Sequence, residues 1–330
     1  MSPLLTYLIA LLIGLALLAW SADRFVDGAS ALAVRLGVSP MIIGLTIVAF
    51  GTSAPEIMVS AMAALNGNPE LALGNAVGSN IANIGLVIGV TALIAPLTVQ
   101  SQTLRREFPL MGAVMVFALV LLFDQQLSRI DGILLLMGML VLMAATIWLS
   151  KKTAPGDLLA EELSAEQSPE LLDTGSVARP VWQLVSGLLL LLIASRMLVW
   201  GAVGMATQFG ISDLVIGLTI VAIGTSLPEL AASVVAVRKG ADDIAIGNVI
   251  GSNMFNLLAV IGVAGTISPT PVDPALLLRD YPLMVLLSMA LYLLARGSHG
   301  RPGRVGRLPA ALLLTVFIAY ELWLYIGPAI

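Results

Sequence analysis

The chain has 330 residues, of which 58% are hydrophobic and 11% charged, and its formal net charge is −4. A soluble domain of this length needs far more polar surface, so the composition predicts an all-α polytopic membrane protein with the lipid bilayer as its solvent. The absence of cysteine excludes disulfides and thiolate metal sites. The basic residues are too scattered for a nucleic-acid surface, so no nucleic-acid partner is expected.

Apolar stretches of spanning length fall near 4–34, 40–65, 70–96, 107–123, 131–150, 180–208, 213–237, 242–267, 281–296 and 307–326. The first opens as "MSPLLTYLIALLIGLALLAW", without a basic leader or a small-residue cleavage site, and is expected to be a retained span. Ten spans put both termini on one side. With both outside, twelve basic residues fall in inner loops: Arg35, Arg105, Arg106, Lys151, Lys152, Arg179, Arg238, Lys239, Arg296, Arg301, Arg304 and Arg307. Only Arg129 and Arg279 fall in outer loops, so the positive-inside rule favours termini on the outer, periplasmic face. Residues 151–179 are polar, acidic and broken by Pro and Gly, and read as a cytoplasmic linker.

The linker separates two copies of one unit. "MIIGLTIVAFGTSAPEIMVSAMAALNGNPELALGNAVGSNIANIGLVIGV" (41–90) aligns without a gap to "LVIGLTIVAIGTSLPELAASVVAVRKGADDIAIGNVIGSNMFNLLAVIGV" (214–263), with 26 identities in 50 positions and a constant offset of 173. The offset persists in "REFPLM" (106–111) and "RDYPLM" (279–284), so each copy covers five spans, 1–150 and 180–330. An odd number of spans forces the second copy into the membrane upside down. The expected architecture is an inverted repeat, a common plan of secondary transporters.

In both copies a Gly-Thr-Ser-x-Pro run interrupts an apolar span and is followed by an acid, Glu56 or Glu229. Proline cannot continue the preceding turn but suits the first turn of a new helix. Spans two and seven are therefore expected to break near the midplane. The first half-helix would end with unpaired carbonyls near Ala49 and Ala222, and the second would begin beside the carboxylates; both ends favour a cation. Ser53-x-x-Glu56 and Ser226-x-x-Glu229 also have capping-box spacing. Capping alone leaves unexplained why an acid is kept where insertion costs about 2.5–3.5 kcal/mol.

Spans three and eight carry "GNAVGSNIAN" (74–83) and "GNVIGSNMFN" (247–256). They too are expected to bend around a midplane ion site, with glycines 74, 78, 247 and 251 allowing close helix packing. Asn83 and Asn256 are expected to face the acids, with Asn80 and Asn253 in support. Two carboxylates, the hydroxyls of Thr52, Thr225, Ser79 and Ser252, amide oxygens and backbone carbonyls form an all-oxygen set without His or Cys. Such hard donors suit calcium, which takes about 6–8 oxygens, and argue against zinc, copper or iron. Two negative charges match one divalent cation or a set of monovalent ones.

These paired motifs resemble the alpha-repeats of the cation/calcium exchanger superfamily, specifically its bacterial sodium/calcium exchanger-like inner-membrane proteins. The resemblance covers essentially the whole chain. It implies an antiporter exchanging Ca2+ for Na+, with those ions as transported ligands and no other cofactor. It also implies roles for individual residues. Glu56, Glu229, Thr52 and Thr225 would hold calcium and share it with sodium; Ala49, Ala222, Ser79 and Ser252 would hold sodium; Asn83 and Asn256 would line the centre. Spans one and six would slide past the other eight. The chain departs from archaeal-type relatives at Asn256, where they carry aspartate, which leaves stoichiometry and proton coupling open.

A proton/calcium or potassium-dependent antiporter is the nearest alternative, and a cation channel the alternative from another class. No enzyme is expected, since the only histidine, His299, sits in a basic loop. A monomer or weak homo-oligomer is expected.

Overall fold

A computed structural model describes residues 3–152, 177–208, 222–296 and 303–326. The linker, apart from its ends, lies outside these residues, as do His299 and residues 209–221, where span seven was expected to begin.

The described chain is mostly helical. Helix α1 (Pro3–Leu36) is followed by α2 (Pro40–Thr52), α3 (Ala54–Leu65) and α4 (Pro69–Ile94). Next come strand β1 (Leu97–Val99), α5 (Ser101–Leu122), β2 (Gln126–Leu127) and α6 (Arg129–Lys152). Beyond the linker lie α7 (Ala178–Gln208), α8 (Ala222–Thr225), α9 (Leu227–Arg238) and α10 (Asp242–Ile267). Strand β3 (Thr270–Pro271), α11 (Leu276–Leu294), β4 (Gly303–Val305) and α12 (Arg307–Ile326) complete the order. Among the described residues, seven helices are long and apolar enough to cross a membrane, or eight if α2 and α3 count as one bent span. This is a multi-pass membrane protein.

The all-α expectation omits two short antiparallel ribbons. β1 pairs with β4, setting Leu97 opposite Val305, and β2 pairs with β3, setting Leu127 opposite Thr270. Leu97, Val99, Val305 and Leu127 are buried, so each ribbon folds a loop back onto the helix ends.

Local geometry repeats at the sequence offset. Ser53 (φ −80°, ψ 2°) and Ser226 (φ −88°, ψ 3°) occupy the same bridge conformation before a helix with proline in its first turn. The turn after each such helix closes on a left-handed glycine, Gly67 (φ +77°) or Gly240 (φ +72°). Both α4 and α10 widen into a π-helix that starts on the motif asparagine, over Asn83–Ile88 and Asn256–Val260. Such π-turns frequently mark functional sites. They leave α4 and α10 continuous, whereas α2 and α3 meet at a 42° bend.

The core is built on α10, whose apolar window is wholly buried. Glycine makes its crossing with α2 possible. A Cβ on Gly251 would lie 2.5 Å from the Leu45 carbonyl oxygen, and one on Gly247 would lie 2.6 Å from that of Met41. For Gly74 and Gly78 the repeat-related partner, 214–218, is outside the described residues. Helices α1 and α7 form another close pair, and a Cβ on Gly28 would lie 2.4 Å from the Leu184 nitrogen.

Candidate functional site

The break between α2 and α3 and the matching one between α8 and α9 bring two acids into the protein interior. Glu56 and Glu229 are each 1% exposed, in the first turn of α3 and α9. They lie within electrostatic reach of each other. Around them Thr52, Ser53, Ser79, Asn80, Asn83, Thr225, Ser226, Ser252, Asn253 and Asn256 are all buried.

The hydrogen bonds cross from one copy of the repeat to the other. Thr52 Oγ1 donates to Asn248 Oδ1 at 2.9 Å, and Ser53 Oγ donates to Glu229 Oε1 at 3.3 Å. Asn83 Nδ2 donates to Asn253 Oδ1, and Asn256 Nδ2 to Asn80 Oδ1, both at 3.0 Å. Neither Ser53 nor Ser226 makes a side-chain cap, so the capping boxes that the spacing allowed do not form. Ser53 is turned across the interior to Glu229 instead.

A second correction concerns Ala49. Its carbonyl, expected to be unpaired, accepts the Ser53 N–H at 2.9 Å and the Thr52 hydroxyl at 3.4 Å. Proline at position 55 removes a donor two residues further on, but Ser53 still closes the last turn of α2. Ala222 opens α8, at the repeat-related place.

Two pairs were missed in the sequence. Asn75 Nδ2 donates to the Glu56 carbonyl at 3.5 Å and to Ser60 Oγ at 3.2 Å. Asn248 Nδ2 donates to the Glu229 carbonyl at 3.3 Å and to Ser233 Oγ at 3.1 Å. Each asparagine ties the acid-bearing helix to the neighbouring long helix and fixes the height of its carboxylate. The signal was available, since Ser60 and Ser233, and Asn75 and Asn248, are identical polar residues at the 173-residue offset.

What remains unpaired is more informative. Among the described residues, seven buried side-chain atoms have no hydrogen-bond partner: Glu56 Oε2, Glu229 Oε2, Asn83 Oδ1, Asn256 Oδ1, Ser226 Oγ, Ser252 Oγ and Thr91 Oγ1. All are oxygens, and only Thr91 lies outside the two motifs. Burying a polar group without a partner carries a free-energy cost of about 1–3 kcal/mol. Six such oxygens gathered in the repeated motifs mark a place suited to a hard cation. No cluster of three or more His, Cys, Asp or Glu side chains occurs among the described residues.

A membrane helix bundle with two buried acids on broken helices defines the class of a polytopic transport protein. A family model for sodium/calcium exchanger protein matches residues 6–148 and 179–326, and the chain belongs to that family. It is 50% identical over 321 residues to CaxA of Alkalimonas amylolytica, covering 96% of this chain and 98% of the relative. It is 44% identical over 316 residues to the inner membrane protein YrbG of Escherichia coli (strain K12), covering 96% and 95%. A solved structure of the sodium-calcium exchanger NCX_Mj superimposes with a TM-score of 0.81 at 32% identity, covering 96% of this chain and 97% of that one.

Proposed function

We propose that this protein is a secondary antiporter that exchanges Ca2+ for Na+ by alternating access. It lies in the bacterial inner membrane, with ten spans in two inverted five-helix repeats (1–150 and 180–330), a cytoplasmic linker (151–179) and both termini outside. One observation carries the reading: six buried, unpartnered oxygens in the repeated motifs, four of them in matching pairs (Glu56 with Glu229, Asn83 with Asn256) and two of them carboxylate oxygens.

Calcium takes about 6–8 oxygens in adaptable geometry. Glu56 and Glu229 supply the charge, and Thr52 and Thr225 stand beside them as calcium ligands that sodium shares. Ser79 and Ser252 offer hydroxyls to sodium on the flanks, and Ala222 a backbone carbonyl; the Ala49 carbonyl joins them only when the Thr52 hydroxyl turns from it to the ion. Asn83 and Asn256 offer amide oxygens at the centre. With two carboxylates, either one Ca2+ or a set of Na+ ions neutralises the site. An empty site leaves two like charges facing each other in low dielectric, which disfavours switching without cargo. The two ribbons support the topology, because each joins two loops that the basic-residue count puts on one side.

The test is calcium-45 uptake into proteoliposomes loaded with sodium, with potassium, or under a pH jump. The expected result is uptake driven by an outward sodium gradient and lost in Glu56→Gln and Glu229→Gln. Equal drive by a proton gradient replaces sodium with H+ in this reading. Calcium flux down its own gradient, with no counter-ion, replaces the antiporter with a channel.

A further inference from the structure

A carboxamide has two chemically opposite ends, and only its oxygen can face a cation. The structure shows what decides which end of Asn256 and Asn83 does so. One group here has no choice: the backbone carbonyl of Asn253 can only accept. It receives Asn80 Nδ2 at 3.1 Å, and the Met284 sulfur receives the same nitrogen at 3.3 Å. The Asn80 nitrogen is thereby fixed, so Asn80 Oδ1 must face the other way, toward Asn256. An oxygen there accepts only the Asn256 nitrogen, at 3.0 Å, and this turns Asn256 Oδ1 away into its unpartnered position.

The second arm has the same logic with the repeats exchanged. Asn253 Oδ1 accepts Asn83 Nδ2 at 3.0 Å and leaves Asn83 Oδ1 unpartnered. Its anchor is weaker, because Asn253 Nδ2 reaches only the Met111 sulfur, at 3.9 Å. All four asparagines are at most 1% exposed.

We propose that Asn80 and Asn253 are positioning residues, each turning the carboxamide of an asparagine in the other repeat so that its oxygen faces the transported cation. Each of their own oxygens already accepts a hydrogen bond from the asparagine it turns. The inference rests on the reading of the six oxygens as the cation site. It goes further by giving two neutral residues control of the polarity of that site. The Asn80 arm, anchored on a carbonyl, exerts the stronger control.

The experiment is a double-mutant cycle on the purified full-length chain, read by equilibrium calcium-45 binding and by sodium-driven uptake. Asn80→Leu keeps the size of the side chain and removes its hydrogen bonds; Asn256→Ala removes the group it turns. Each single variant is expected to weaken calcium binding about tenfold, the lower range for partners that orient metal ligands. The double variant is expected to be no weaker than the worse single one, because two residues acting as one unit are not additive. Asn80→Leu combined with Asn83→Ala, which belongs to the other arm, is expected to multiply the two losses.

Multiplied losses in the Asn80–Asn256 pair overturn the proposal, as does wild-type binding by Asn80→Leu. If Asn80→Leu does not give a monodisperse protein, Asn253→Leu with Asn83→Ala poses the same question on the second arm, with a smaller expected loss. Wild-type protein that neither binds nor transports calcium sinks the cation-site reading itself. Wild-type binding with additive variants sinks only the positioning role.

Discussion

Helices α10 and α1 are both apolar membrane spans, yet they are built for different tasks. The apolar window of α10 is 100% buried, and its glycines press its backbone against α2. The window of α1 is 22% buried, as is that of α7, and the two lie mainly against each other with their outer faces exposed. A helix enclosed on every side can hold side chains at fixed distances, which is what a polar site of six unpaired oxygens needs. A helix pair touching the rest of the protein on one side can shift without breaking that site. The difference separates a region that holds the site from one that, in the proposed cycle, would move.

The largest expected effect lies in the holding region. Glu229→Gln removes one of the two carboxylates of the proposed cation site and should lower sodium-driven calcium uptake by about a hundredfold or more, given the strength of charge interactions away from water. Next, Gly251→Val forces atoms into the α10–α2 crossing, where a Cβ already meets the Leu45 oxygen at 2.5 Å. Overpacking of this kind destabilises by about 1–3 kcal/mol, readable as a lower melting temperature in detergent. Gly28→Ala makes an equally close contact in the α1–α7 pair, but the pair can separate toward lipid. Uptake rate should therefore fall more than melting temperature does. An equal drop in melting temperature in the two glycine variants would erase the distinction between the regions.

Asn248→Ala frees the Glu229 carbonyl and the Thr52 hydroxyl together. Calcium binding should weaken about tenfold, in the range for residues that orient ligands. The smallest effect belongs to Lys239, whose Nζ lies 2.7 Å from Asp23 and 2.6 Å from Asp27 on α1. An exposed ion pair contributes about 0.2–1 kcal/mol. Lys239→Ala should change uptake by less than about fivefold, and high salt should shrink the difference through screening.

The sequence made the helices and the paired acids legible for one reason: both are written in patterns that repeat. An apolar run of spanning length and a proline after Gly-Thr-Ser have only a few structural outcomes. The partners of the acids were harder to read because they depend on side-chain direction across helices. Thr52 was singled out for its hydroxyl, but that it donates to Asn248, 196 residues away, follows only from the α2–α10 crossing. Ser53 was legible as a possible cap and proved to be a cross-repeat donor. Local spacing could not show that an acceptor from the other copy would compete for its proton. Asn75 and Asn248 stood in plain view in the repeated Gly-Asn pairs. Their partners, Ser60 and Ser233, lie on a neighbouring helix, which local spacing does not reveal.

A protein made of two inverted copies of one unit, as proposed, suggests two arrangements of equal energy related by a two-fold rotation. The tie between Lys239 and α1 breaks that equality. Counting 173 residues from Lys239, Asp23 and Asp27 leads to Asn66, Arg196 and Trp200, a set that cannot form the same ion pairs. At the free energy of an exposed pair, the arrangement that keeps the tie is occupied up to about five times more than it would otherwise be. In the proposed exchange cycle, three charged residues on α1 and at the end of α9 would thus bias how long the protein waits on one side.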